Sequence, residues 1–185
     1  MRWLGLVLGL ICGSVAAAPA TGFGATALQV EVIDSGRYRI LQREPRQTGG
    51  ASSAGYSSVV ATEWLSESIR VPLQLGEAFG FRYRLQVPEA SAEWLPLQIV
   101  VQHPPLTDVR GQRSRGFVID SAARRDSDGS YRNGAFYLLS EPRELVAGRW
   151  RIALFHGGRR LIEREFVLGD EVAGTQLAKP EAWPQ

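Results

Sequence analysis

Period-two alternation of apolar and polar residues dominates the chain. Leu28, Val30 and Val32 alternate with Gln29 and Glu31; Ile69, Val71, Leu73 and Leu75 with Arg70, Pro72 and Gln74; Phe81, Tyr83, Leu85 and Val87 with Arg82, Arg84 and Gln86. A strand turns successive side chains to opposite faces, so each run predicts a strand with one buried and one wetted face. Between the last two lies Gly76-Glu77-Ala78-Phe79-Gly80, a tight connection whose glycines can take positive φ, and Ile69 to Val87 therefore reads as an antiparallel pair. Pro72 has no N–H to give a ladder and marks an edge or a bulge.

Farther on, Trp94 to His103 carries Leu97, Ile99, Val101 and His103 on one face, with Pro104-Pro105 as its stop, and Phe136 to Leu139 predicts a short strand. Trp150 to Leu168 reads as a hairpin about Gly157-Gly158. Pairing Trp150 with Phe166 also sets Arg151 opposite Glu165, so the apolar and ionic faces agree on one register. No window carries helical spacing, and the best helical stretch, Val60 to Ser68, offers a turn or two at most. Glu44 to Ser58, the Arg-rich Thr107 to Gly134 and Asp170 to Gln185 lack periodicity and read as two loops and a tail. About seven strands with Gly and Pro punctuation predict an all-β fold, an immunoglobulin-like antiparallel sandwich over residues 28–169, with a small β-barrel as the alternative.

The first twenty residues follow other rules. Arg2, an uncharged apolar run from Trp3 to Ile11 and the small residues Ala16, Ala17, Ala18 and Ala20 make a secretory signal peptide, too short in its apolar part to span a bilayer. Cleavage after Ala20 starts the exported chain at Thr21, with 21–27 as a short extension. Cys12, the sole cysteine, and Met1 leave with the signal, which excludes disulfides and thiolate chemistry from the exported protein. Ile11 stands where lipid attachment to Cys12 wants a small residue. Removal of Arg2 leaves 20 basic residues, all arginine except Lys179, against 19 acidic ones. Interleaved charges with so small an excess do not suit nucleic-acid binding, which needs clustered positive charge.

Certain runs are familiar in combination. Val30-Glu-Val-Ile-Asp-Ser-Gly-Arg-Tyr38, Val71-Pro-Leu-Gln-Leu-Gly-Glu-Ala-Phe-Gly-Phe-Arg-Tyr83, His103-Pro-Pro-Leu106, Pro142-Arg-Glu-Leu-Val-Ala-Gly-Arg-Trp150 and Phe155-His-Gly-Gly-Arg-Arg-Leu161 resemble the bacterial domain of unknown function 3859 family over roughly Leu28 to Leu168. The resemblance implies an exported or envelope-associated immunoglobulin-like sandwich. It carries no assigned activity and no functional residues.

Candidate chemistry is sparse. No Gly-x-Ser-x-Gly elbow occurs, and a triad would have to use His103 or His156 as its base. These two histidines end apolar strand faces at the rim. Strands running the same way would bring them together as a metal site or pH switch with a carboxylate such as Asp108; otherwise each caps its own strand. Asp126-Ser-Asp-Gly-Ser130 begins like a calcium loop, but Tyr137 stands at its twelfth position and the stretch reads as a turn. Arg37 and Arg39, Arg82 and Arg84, and Arg149 and Arg151 each share an outer strand face, as a salt-bridged surface or a polyanion platform.

Trp64, at the margin of a flexible loop, and Phe117, in the polar stretch, are candidate partner contacts; for Phe117 an extra short strand is the plainer reading. No catalytic residue, metal or cofactor is assigned. The expectation is a non-enzymatic binding or structural module of the cell envelope, not membrane-spanning, whose partner is an envelope protein or ligand. A small-molecule or lipid carrier within a splayed sandwich and an enzyme with a histidine rim site are the alternatives.

Overall fold

The computed structural model describes residues 28–44, 59–88, 92–107 and 111–169. The signal peptide and extension over 1–27, residues 45–58 of the first loop, Asp108 and the tail over 170–185 lie outside the described residues. Nine strands follow one another: β1 (Gln29–Arg43), β2 (Val59–Ser66), β3 (Arg70–Val71), β4 (Ala78–Gln86), β5 (Trp94–Thr107), β6 (Arg113–Arg125), β7 (Tyr131–Leu138), β8 (Gly148–His156) and β9 (Arg159–Leu168). A single 3-10 turn, Pro142–Glu144, precedes β8.

The strands join in the order β2-β1-β4-β7-β6-β5-β8-β9-β3, and all neighbours are antiparallel except β3 and β9. The sheet doubles back where β7 meets β6 through two register pairs alone, Arg124 with Arg132 and Arg125 with Tyr131. The result is an immunoglobulin-like sandwich with β2-β1-β4-β7 facing β6-β5-β8-β9-β3.

Alternation supplies the core. Phe79, Phe81, Tyr83 and Leu85 of β4 and Ala135 and Tyr137 of β7 meet Trp150, Ile152 and Leu154 of β8 and Ile162, Phe166 and Leu168 of β9. Rings interlock across the layers: Trp150 lies 5.8 Å from Phe79 and 4.8 Å from Tyr137, both edge to face, and Phe166 lies 5.0 Å from Phe79. The last hairpin has the expected register, Trp150 opposite Phe166 and Arg151 opposite Glu165. Its ion pairs run diagonally, however: Arg149 takes Glu165 at 3.1 Å and Arg151 takes Glu163 at 3.8 Å.

Several expectations fail for identifiable reasons. Ile69 to Val87 is not a hairpin. The chain after Val71 curls at Pro72, where Gln74 N–H donates to the Pro72 carbonyl at 2.9 Å, so β3 keeps two residues and pairs with β9 at the sheet edge. β4 takes β1 and β7 as its neighbours instead. Val60 to Ser68 is no helix but most of the edge strand β2, where Glu63, Trp64 and Leu65 are successively exposed and alternation is lost. Pro104-Pro105 does not stop β5. The register against β6 slips between Gln102 and Leu106, and the prolines sit in that irregularity, where no ladder donor is required. Thr107 to Gly134 contains β6, whose two faces are each half-exposed and so show no clean alternation. These additions raise the strand number from about seven to nine among the described residues.

Two glycines face each other across β1 and β4. A Cβ on Gly80 would lie 2.0 Å from the Ala135 carbonyl oxygen of β7, and one on Gly36 would lie 2.0 Å from the Ser66 carbonyl oxygen of β2. Only glycine permits so close an approach of neighbouring backbones.

Candidate functional site

The two histidines do not meet. β5 and β8 are antiparallel, with Gln98 opposite Phe155 and Gln102 opposite Arg151. His103 therefore falls beside the level of Trp150 and His156 beside that of Leu97, about 20 Å apart along the strands at some 3.3 Å per residue. His103 is 6% exposed, its ring 5.0 Å from Trp150 and 6.1 Å from Phe117. Its Nδ1–H donates to the Pro104 carbonyl at 2.8 Å, and that of the half-buried His156 donates to the Pro96 carbonyl at 2.9 Å. His103 thus lies buried within β5, and only His156 ends its strand, β8. Among the described residues no three His, Cys, Asp or Glu side chains gather as a metal site.

Burial pushes the His103 pKa below its ordinary value, against an upward pull from the Pro104 carbonyl and the Glu144 charge. The unfolded chain, with its histidine near the usual value of about 6.5, takes up a proton that the folded chain refuses. Stability is therefore expected to fall as pH drops below that value and to level off below the folded pKa. Melting at pH 7.5 and 5.5 checks this: His103→Gln should lose less than the wild type, and equal losses would place the acid sensitivity elsewhere.

Glu144, unremarked in the sequence, is the most enclosed carboxylate of the described residues at 1% exposure. Tyr137 Oη–H donates to its Oε1 at 2.9 Å, while Oε2 accepts from the Ser140 N–H at 2.7 Å, the Ser140 hydroxyl at 3.2 Å and the Glu141 N–H at 2.9 Å. With its lone pairs so engaged, the carboxylate fastens the chain entering β8 to the core and is not poised as a base. Burial, then the Glu144 charge, pushes the Tyr137 hydroxyl up, which keeps it a donor.

The arginine faces are neutralised. Arg37 meets Glu77 at 2.9 Å and Arg39 meets Glu63 at 2.5 Å. Arg82 grips Asp34, which also accepts from Tyr38 Oη–H at 2.5 Å; burial pulls this carboxyl up, but the bonds from Arg82 and Tyr38 prevail and hold it below the usual range. In the Asp126–Ser130 turn, Asp128 accepts from the Ser130 N–H and hydroxyl and meets Arg84 at 2.9 Å and Arg132 at 2.7 Å. The turn's acidic groups serve arginines, and the arginines form a salt-bridged surface.

Exposed large apolar side chains are most frequent on the outer strands. Of the eight large ones among the described residues, five lie on β1 or β2: Val30, Ile33, Leu41, Trp64 and Leu65. Trp64 is 45% exposed, and its Nε1–H donates to the Ser35 carbonyl at 3.4 Å. Phe117 instead lies on β6, half-buried against the core, as the plainer reading had it. Where β1 outruns β4, a groove of about 330 Å³ opens, lined by Arg39, Ile40, Leu41, Gln42, Arg43, Gly76 and Leu138. No pattern of residues marks the groove, which exists because two neighbouring strands end at different levels.

An immunoglobulin-like protein of Pseudomonas aeruginosa, PA1606, is similar in fold, with a TM-score of 0.54 and 22% identity over 79% of this chain and 99% of its own. Pseudomonas fluorescens alkylpurine DNA glycosylase AlkC, bound to DNA containing an abasic site analogue, aligns at 18% identity over 54% of this chain and 28% of its own, and its TM-score of 0.36 carries no argument. No curated protein matches. Residues 29–168, the whole span from the first strand to the last, match the family described as Domain of unknown function (DUF3859), and the chain belongs to that family.

Proposed function

We propose that the protein is an exported, non-enzymatic binding module of the cell envelope that holds a partner along its β1-β2 side. The observation that carries this reading is that five of the eight exposed large apolar side chains among the described residues lie on β1 and the edge strand β2, where Arg37, Arg39 and Arg82 are paired with carboxylates. Exposed apolar side chains on an edge strand offer contact surface to a partner, and immunoglobulin-like sandwiches hold such strands rigidly. Export rests on the Arg2, apolar-run and Ala18-x-Ala20 order.

Two measurements test the reading. The intact mass of the protein isolated from its native host should correspond to a chain beginning at Thr21, and retention of Cys12 in the mature product would refute export. A photo-crosslinking residue at Leu65 should give a discrete adduct in cells, whereas one at the exposed Arg159 on the opposite layer should not. Absence of an adduct at Leu65, or the same adducts at both positions, would refute the partner-binding side.

A further inference from the structure

We propose that Asn133 is a site of spontaneous modification, and that its conversion makes an opening of the crease between β6 and β7 permanent. The two strands pair at Arg124 with Arg132 and at Arg125 with Tyr131, and then diverge. Continued in the same register, the ladder would set Gly134 opposite Ala122. The Asn133 side chain fills that missing rung. Its Oδ1 accepts from the Gly134 N–H at 2.8 Å, and its Nδ2–H donates to the Ala122 carbonyl at 2.9 Å. One side-chain amide thus takes the donor of one strand and serves the acceptor of the other. Asn133 is the sole asparagine of the chain.

An asparagine followed by glycine is prone to close on itself, because the glycine nitrogen approaches without a side chain in its way. The Gly134 nitrogen bonds to Asn133 Cγ and gives up its proton to solvent base; the Cγ–Nδ2 bond breaks, and Nδ2 takes up a proton and leaves as ammonia. Water then adds to either carbonyl of the cyclic imide and opens it at the bond to nitrogen, which leaves aspartate or isoaspartate. Water is the only co-reactant. In the closed crease the reaction is held back, since Nδ2 is tied to Ala122 and the Gly134 N–H to Oδ1. β7 has eight register pairs with β4 and two with β6, so the crease is its weaker side. Local release there frees Cγ to turn onto the nitrogen, and the exposed side chain already meets water.

Either product breaks the rung. A carboxylate has no hydrogen to give, so the Ala122 carbonyl would face a charged oxygen across the crease in place of a donor. Isoaspartate also carries the main chain through the former side chain and lengthens it, which shifts Gly134 and Ala135 against Arg82 and Phe81 of β4. Neither change reverses when the strands come back together, so a passing fluctuation is recorded as a lasting loss of the β6 to β7 contact.

The test incubates the full chain at mildly alkaline pH and follows the peptide containing Asn133 by mass and by enzymatic methylation of isoaspartate. Conversion is expected in the folded chain, about tenfold or more slower than in the chain unfolded in urea. Ile152→Val, a core change in the facing layer, raises the unfolded fraction by about threefold or more but should leave the Asn133 rate unchanged, because opening of the crease suffices. Converted chains, separated by their added charge, and the Asn133→Asp protein should both melt below the wild type at neutral pH. Conversion confined to the unfolded chain, equal rates in the folded and unfolded chains, or acceleration by Ile152→Val in step with the unfolded fraction would overturn the proposal. So would an Asn133→Asp protein that melts with the wild type.

Discussion

Gly80→Ala is expected to leave little folded protein, or a product that melts roughly 10 °C or more below the wild type, the shift that a loss upward of about 4 kcal/mol gives a domain of this size. The added Cβ would sit 2.0 Å from the Ala135 carbonyl oxygen and 2.9 Å from the Phe136 Cα. Both are backbone atoms in β7, held by the ladder that pairs Ala78 with Leu138 through Leu85 with Tyr131, so neither can swing aside as a flexible side chain does. Relief requires β4 and β7 to part, at the cost of their hydrogen bonds and of the Phe79 and Tyr137 rings stacked 5.7 Å apart beneath them. Gly157→Ala is the companion measurement. Its φ of +55° taxes alanine, but nothing lies within 4 Å of the new methyl group, and the loss should stay at about 1 to 2 kcal/mol. Equal, small shifts for both variants would show that β4 and β7 lie farther apart than described.

Trp150→Ala should destabilise the fold by about 3 to 5 kcal/mol, the range for removing a large aromatic side chain from a core. Trp150 is fully buried and shares ring contacts with Phe79, Tyr137 and His103, so its loss opens a cavity bordered by three strands that cannot all close upon it. The melting temperature should drop by roughly 10 to 20 °C. Trp94→Ala serves as the control: this indole is 53% exposed with the Arg124 guanidinium above its ring, and its removal should cost no more than about 0.5 kcal/mol. A shift of only a degree or two for Trp150→Ala would contradict the β8 to β9 register and the buried face together.

Trp150 also shows why parts of the fold were legible in sequence. In β8 and β9 the apolar alternation and the placing of Arg151 and Glu165 demand one register, and Gly157-Gly158 supplies the turn, so independent signals coincide. β4 was equally plain as a strand, yet its neighbours were not, because alternation reveals a face and says nothing of who sits beside it. The assumption that successive strands pair failed at Pro72. β2 gives no strand signal and β6 only a short one around Phe117, both through exposure: a strand open on both faces has no reason to alternate. Trp64 was singled out for a polar neighbourhood and does lie on an exposed edge, whereas Phe117 and His103 proved to belong to the buried layer. Glu144 had a signal that went unused, since Glu141-Pro-Arg-Glu144 ahead of an apolar stretch has an acidic residue at the third position of a helical turn, where it can reach back to a free N–H.

The parallel pairing of β3 with β9 bears on the order of assembly. Val71 meets Leu168 about a hundred residues later in the chain, so this contact closes a far larger loop than the β8-β9 hairpin does. β3 precedes β9 by almost the whole fold, and its two residues offer no hairpin to hold it meanwhile. The local pairs β5-β6 and β8-β9 can form as soon as their strands are released, and β3 then seals a layer that already stands. Interactions made this late leave the folding rate almost untouched and slow unfolding instead. The short strand at the sheet's edge thus acts as a latch on the lifetime of the native state.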